Sequence, residues 1–300
     1  LEIQSKSGNI AWRNNYLSYF YQNIKNMEHL QKTILVAWDF SNVAEYAMQH
    51  AIRFAETIGS TMVTILNIVD SKDDIENATR QLNIVAEDAQ KKYNFKPEVL
   101  AVEGDIFTTI KDVANQLNSP FVFMGTHGIK GLQKITGSWA LKVIEGSNCP
   151  FIVVQRPPQD EHFGDIVCPV EYKKEDKQKV GWAVYLNKFF KSKIYLYVQK
   201  SNDANLKRQI YSNLVHMKSV LDQHKIEYTE VEGAGKDDFA EEVIEYAHAI
   251  NANAILVSTY KELDWADYMF GANEQKIIGN KYGISAITVL PNPGRLKGFN

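Results

Sequence analysis

The chain has 300 residues, room for two domains of ordinary size, with 45% hydrophobic and 23% charged residues, the balance of a soluble globular protein. The 33 Lys+Arg and 36 Asp+Glu leave a net charge of -3, which excludes a general nucleic-acid binder; that would need a basic surplus or a basic stripe. A local anion site stays open.

The elements repeat. Residues 1–32 stand outside the repeat as an N-terminal extension. Trp12, Tyr16 and Phe20 at i, i+4 and i+8 suggest a short amphipathic helix there. The first Met is Met27, so the extension is read either as an arm on the body or as a segment foreign to the natural protein. Thr33–Asp39 then reads as a buried strand ending in a carboxylate. Ala44, Ala47, Met48, Ala51, Ile52 and Ala55 share one face of the next helix, and Asn42 with Glu45 looks like its capping box. A strand over Met62–Val69, a helix near 78–93 and a strand at Glu98–Val102 follow. Gly104-Asp105 caps a helix carrying Ile106, Ile110, Val113, Ala114 and Leu117. Phe121–Met124 and Phe151–Gln155 read as the fourth and fifth strands.

The same series returns 132 residues on, counted from Asp39 to Glu171. Its strands are Asp165–Glu171, Lys193–Val198, Tyr228–Glu232, Ala254–Val257 and Ala286–Leu290. Its helices carry Val180, Ala183 and Val184, then 206–224, then Phe239, Val243, Ile244, Ala247 and Ile250 behind Gly235 and Asp237. Strands alternating with helices imply right-handed crossovers and a parallel sheet. The expected organisation is a first domain over 33–157, a linker over 158–163 with its prolines just before and within it, a second domain over 164–292 and a tail over 293–300.

The segment Met124–Ser138 carries the strongest chemical signal. It leaves the fourth strand, turns through glycines and enters a helix at Ser138. Glycines let backbone N–H groups approach an anion, and a helix N-terminus favours negative charge, so the combination suits a phosphate. Lys130, Lys134 and His127 lie nearby, although each is as readily a solvated side chain. In an open parallel sheet, ligands sit beyond the carboxyl ends of the strands, where Asp39 also falls. Asp39 could equally cap the following helix.

Gly125-x-x-Gly128, then Gly137-Ser138 before a helix, the strand ending Val36-Ala-Trp-Asp39, and Asn148–Val154 leading into the fifth strand resemble universal stress proteins. The resemblance covers roughly 33–157 and 163–292, as in a tandem member. It implies an adenine-nucleotide alpha-hydrolase-like α/β fold. Each half would be a doubly wound parallel five-stranded sheet in the order 3-2-1-4-5, and the two would pair as an intramolecular pseudo-dimer. It also implies ATP or a related adenine nucleotide, with or without Mg²⁺, at Ala37, Trp38, Asp39, Ile68, Met124, Gly125, Gly128, Gly137, Ser138 and Trp139.

Two departures stand out. Eight residues, Ile129 to Thr136, separate Gly128 from Gly137, one fewer than the family pattern, and Trp38 is bulkier than the usual residue before the acid. The second half departs further. Val257-Ser-Thr-Tyr-Lys261 lacks the paired glycines, Ala272 lacks the hydroxyl, Glu274 brings a carboxylate to the first helical turn and Glu171 replaces Asp39. Its site is expected to be silent.

No nucleophile elbow, Walker-type loop or i, i+4 histidine pair with a neighbouring glutamate is present, so no enzyme and no metal site is expected. The leading expectation is a non-enzymatic stress-response protein that uses an adenine nucleotide as a switch read by an unidentified protein partner. Alternatives are a nucleotide-independent interaction scaffold and a weak ATP hydrolase with Asp39 as base. No apolar run approaches the roughly 18–20 residues that cross a membrane, and no leader pattern opens the sequence. Cys149 and Cys168 are too few for a disulfide framework and read as buried small hydrophobes in a reducing cytoplasm. Trp139, Trp182 and Trp265 are core residues or interface anchors. Homodimerisation through an exposed fifth-strand edge or an apolar face stays open.

Overall fold

The computed structural model describes residues 33–60, 62–126, 143–144, 149–159, 163–174, 176–258, 260–261, 268–269 and 272–289. The extension and tail, Gly128, Gly137, Ser138 and Trp139, together with His127, Lys130, Lys134 and Trp265, lie outside these residues.

The first half runs β1 (Ile34–Ala37), α1 (Asn42–Ile58), β2 (Val63–Val69), α2 (Ile75–Tyr93), β3 (Glu98–Glu103), α3 (Ile106–Gln116), β4 (Val122–Gly125) and β5 (Phe151–Val154). The second runs β6 (Asp165–Val170), α4 (Val180–Phe190), β7 (Lys193–Val198), α5 (Ala204–Gln223), β8 (Tyr228–Glu232), α6 (Phe239–Ala249), β9 (Ala254–Ser258), α7 (Ala272–Ile278) and β10 (Ser285–Val289). Near-continuous apolar strands such as Ile34-Leu-Val-Ala37 are those of a sheet covered on both faces.

These ten strands form one sheet, ordered β3-β2-β1-β4-β5-β10-β9-β6-β7-β8, while Tyr260–Lys261 and Tyr268–Met269 pair separately as a two-stranded ribbon. Each half therefore shows the order 3-2-1-4-5, with parallel pairing inside it. The halves meet through their fifth strands, which pair antiparallel with Ala286 opposite Val153 and Ile287 opposite Ile152. That corrects one expectation: neither fifth strand offers a free edge, because each satisfies the other's backbone groups. The edges of the sheet are β3 and β8.

Helix α1 sits close to the sheet because the residues it buries are small. Ala44, Ala47, Ala51 and Ala55 recur at helical spacing, with Met48, Ile52 and Phe54 filling the gaps between them. Its N-cap is Ser41, whose hydroxyl accepts from the Ala44 N–H, so the predicted capping box of Asn42 and Glu45 does not form. Glu45 instead reaches Lys92 and the Tyr93 hydroxyl at the end of α2. The N-cap of α6 is Asp238 rather than Asp237.

An aromatic cluster crosses between the halves. Phe121 of the first half meets Trp182 and Tyr185 of α4 at centroid distances of 5.7 and 5.8 Å. Phe54 of α1 meets Phe190 at 5.0 Å. Trp182 is thus both core and anchor, and such ring pairs add about 0.5–1.5 kcal/mol each beyond area burial. Cys149 and Cys168 form no disulfide and are buried as expected.

Candidate functional site

A cleft opens where β1, β2 and β4 end in the first half. Ala37, Trp38 and Asp39 come from β1 and its exit, Leu66, Asn67 and Ile68 from β2, and Met124 and Gly125 from β4. Ala44 of α1, Ile106 and Ile110 of α3, and Val143 complete the wall. The cleft holds about 570 Å³ of empty space, part of it open to solvent. Apart from Asp39 and Asn67 its side walls are apolar, which suits a flat, weakly polar ring system with a polar end at the mouth.

Six of the ten predicted site residues therefore converge: Ala37, Trp38, Asp39, Ile68, Met124 and Gly125. Gly128, Gly137, Ser138 and Trp139 lie outside the described residues.

Gly125 is where α1 comes closest to the sheet. A Cβ there would stand 2.3 Å from the carbonyl oxygen of Val43 and 2.9 Å from the N of Ala44. The backbone of the first turn of α1 thus presses directly on the end of β4, and only glycine leaves room. The glycine that opens the signature accordingly has a packing role here, whatever binds beyond it.

Between β1 and α1 the chain turns through Phe40 at φ 62°, an uncommon conformation for a bulky residue. Asp39 stabilises that turn: its Oδ1 accepts from the Ser41 N–H at 3.0 Å and from the Ser41 hydroxyl at 2.5 Å. Ser41 in turn caps α1, so the capping role weighed for Asp39 is real but indirect. Asp39 remains exposed to solvent.

Trp38 is buried and belongs to the core cluster with Ala44 and Met48. Its bulk is accommodated in the core on the α1 side. Its carbonyl accepts from Asn67 Nδ2 at 2.8 Å, which ties the exits of β1 and β2 together. Asn67 was not singled out from the sequence, although a polar residue inside the apolar run Leu66-Asn67-Ile68 was the available signal.

The equivalent place in the second half is filled by the chain itself. Where α1 begins in the first half, the second has a 3-10 turn, Asp176–Lys179, that runs into α4 and lies against β9, with Asp176 and Lys179 standing 132 residues after the small Ala44 and Ala47. Strand pairing puts Ser258 where the first half has Gly125, since Leu35 pairs with Val122 and Val167 with Ile255. Glu171, the counterpart of Asp39, is only 3% exposed. Its Oε2 accepts from Asn273 Nδ2 at 3.2 Å. Asp176 and Lys179 form a buried ion pair at 2.6 Å. Glu274, 2% exposed in the first turn of α7, meets Lys173 at 3.3 Å.

Three buried carboxyl groups thus face the buried ammonium of Lys179 and the partly exposed one of Lys173. Burial, and then the charges of Asp176 and Glu274, push the Glu171 carboxyl up to about 7. Burial works to lower the Lys179 ammonium pKa, but Asp176, Cys168 and Glu171 outweigh it and leave a net upward shift. The Cys168 thiol is pushed up to about 12, chiefly by burial. Among the described residues no group of three or more His, Cys, Asp or Glu is placed to hold a metal ion. No described helix is long and apolar enough to cross a membrane.

Comparison with known proteins places this geometry. Residues 31–155 match the model of the universal stress protein family. The chain is 27% identical over 165 residues to the universal stress protein MJ0531 of Methanocaldococcus jannaschii, covering 48% of this chain and 95% of the relative. It is 28% identical over 160 residues to MJ0577 of the same organism, covering 43% and 98%. A crystal structure of a universal stress protein from Archaeoglobus fulgidus superposes with a TM-score of 0.64 at 15% identity, covering 87% of this chain and 99% of that one, a likeness of fold. Residues 31–155, which carry β1–β5 and the cleft between them, are thus similar to the universal stress protein family.

Proposed function

We propose that the first half binds ATP or another adenine nucleotide as a regulatory switch in stress response, and that the second half is a non-binding structural copy. The observation that carries the reading is the apolar cleft at the ends of β1, β2 and β4, with Asp39 at its rim and Gly125 at its base. The adenosine would lie between Ile68, Ile110 and Val143, with Asp39 toward the ribose. The phosphates would lie toward the glycine segment that follows Gly125. Any Mg²⁺ would come with the nucleotide.

The chain is read as non-catalytic. Asp39 is the one carboxylate among the cleft's described lining residues, and its Oδ1 is already engaged by Ser41. In the second half, Glu274 and Lys173 fill the corresponding space with their own charges, which disfavours a second nucleotide. Ligand binding would favour one arrangement of the glycine segment and so change a surface offered to a protein partner. Two buried thiols outside any disulfide fit a reducing cytoplasm.

Thermal unfolding with ATP, ADP and AMP tests this, beside a Gly137→Glu, Ser138→Glu double variant. Stabilisation of the parent chain that is absent in the variant supports the reading. A folded chain that responds to none of the three overturns it in favour of a nucleotide-independent scaffold, which the shortened glycine spacing would explain.

A further inference from the structure

A second cleft lies between the halves, far from the glycine signature in the chain. The connecting segment forms one wall with Arg156, Gln159 and Phe163. The residues after α6, including Asn251 and Asn253, and the turn into β10 at Gly283 form the others. It encloses about 650 Å³ of empty space, partly open to solvent.

The connector is fixed from both sides. Buried His50 of α1 bonds the Arg156 carbonyl at 3.1 Å, and Arg53 donates to the Gln159 carbonyl at 2.6 Å. From the second half, Asn253 Nδ2 donates to Gln159 Oε1 at 2.9 Å. Burial keeps His50 neutral, pushing its imidazolium pKa down to about 4, so it acts here as a fixed hydrogen-bonding group.

The Arg156 side chain lies on Gly283. A Cβ at Gly283 would fall 2.7 Å from Arg156 Nε and 3.1 Å from its Cδ, and Gly283 has φ +67°, so glycine both makes the turn and leaves the guanidinium room. Arg156 makes no side-chain hydrogen bond or ion pair with the described residues. No Asp or Glu stands among the described lining residues, which offer amide side chains and a serine instead. A guanidinium so placed presents a planar fork of donors that matches an oxyanion in two-point contact. Because the connector crosses between the halves only once, the cleft has no symmetric twin across the β5–β10 pair.

We propose that this cleft is an anion site distinct from the nucleotide cleft, in which Arg156 takes a small oxyanion, phosphate or carboxylate, between the two halves. Its occupant would touch both halves and hold their relative position.

The test is calorimetric titration of the full chain with inorganic phosphate and, separately, with acetate. The protein carries Gly137→Glu and Ser138→Glu, so that the glycine segment contributes no phosphate binding. Saturable binding of either probe, weakened at least tenfold by adding Arg156→Gln and less by Arg156→Lys, supports the proposal, and the probe that binds names the oxyanion. Arg156 is exposed, so both variants should unfold with the parent. Binding that Arg156→Gln leaves unchanged overturns the proposal, and so does absence of binding by both probes.

Discussion

Replacing Glu171 with Gln should make the second half's stability respond to pH in a defined way. Glu171 sits among Asp176 and Glu274, with Lys173 and Lys179 opposite and Asn273 on its Oε2. In the folded chain its carboxyl holds its proton up to about 7, against 4.5 when exposed. A raised carboxyl pKa gives stability that is fully present below 4.5 and lost as pH rises through about 7. The gap is worth roughly 3 kcal/mol. Buried His50 runs the other way: its pKa falls from 6.5 to about 4, so its contribution is full above 6.5 and lost as pH falls toward 4. Between about pH 4.5 and 6.5 each titrates by one proton with opposite sign, so the parent chain should be nearly flat there. Glu171→Gln removes one of the pair. Measured by urea unfolding, the variant should gain about 3 kcal/mol relative to the parent between pH 4.5 and 8. In absolute terms its stability should rise steeply with pH between 4.5 and 6.5. A difference between variant and parent that is the same at every pH would refute the assignment of a neutral-pH proton to this cluster.

Other consequences are as direct. Gly125→Ala should cost about 1–3 kcal/mol by thermal unfolding, because the new methyl meets the Val43 carbonyl and the helix must move. An unchanged midpoint would show that α1 is not pressed against β4. Lys179→Met should cost about 3–5 kcal/mol by leaving Asp176 buried without its partner, and Asp176→Asn on top should recover part of the loss. Trp182→Ala should cost about 3–5 kcal/mol and loosen the contact with Phe121 across the halves, read as increased hydrogen exchange in both α1 and α4. In the folded chain a thiol reagent at pH 8 should leave Cys149 and Cys168 unlabelled until urea unfolds it.

Much of the fold was legible because it rests on local pattern. Apolar runs such as Thr33–Ala37 and Phe151–Val154 could only be buried strands, and the alanine stripe of α1 announced a helix lying close on a sheet. Cap positions were less legible. Ser41, Asn42, Asp237 and Asp238 are all good capping residues, and what selects Ser41 is its bond to Asp39 across the left-handed Phe40 turn. The joining of β5 to β10 has no local signature, because strand pairing depends on neighbours distant in sequence.

The candidate site divides along the same line. Ala37, Asp39, Ile68 and Gly125 could be named from motif and position, while Asn67, Ile106 and Val143 enter the cleft only through the packing of three separate elements. In the second half, Glu274 was readable as a carboxylate in a first helical turn. Asp176 and Lys179 look in sequence like solvated loop charges. Their burial follows from their place in the repeat: Asp176 and Lys179 stand 132 residues after Ala44 and Ala47, in a 3-10 turn that lies against β9 as the start of α1 lies against β4.

The central claim is that one half of the chain is a nucleotide site and the other a filled copy of it. Calorimetric titration of the intact chain with ATP–Mg²⁺ tests this most directly through its stoichiometry. Binding should saturate at one nucleotide per chain, unchanged when Glu171 is replaced by Gln and abolished when Gly137 and Ser138 are replaced by Glu. Two nucleotides per chain, or none on a folded protein, would contradict it.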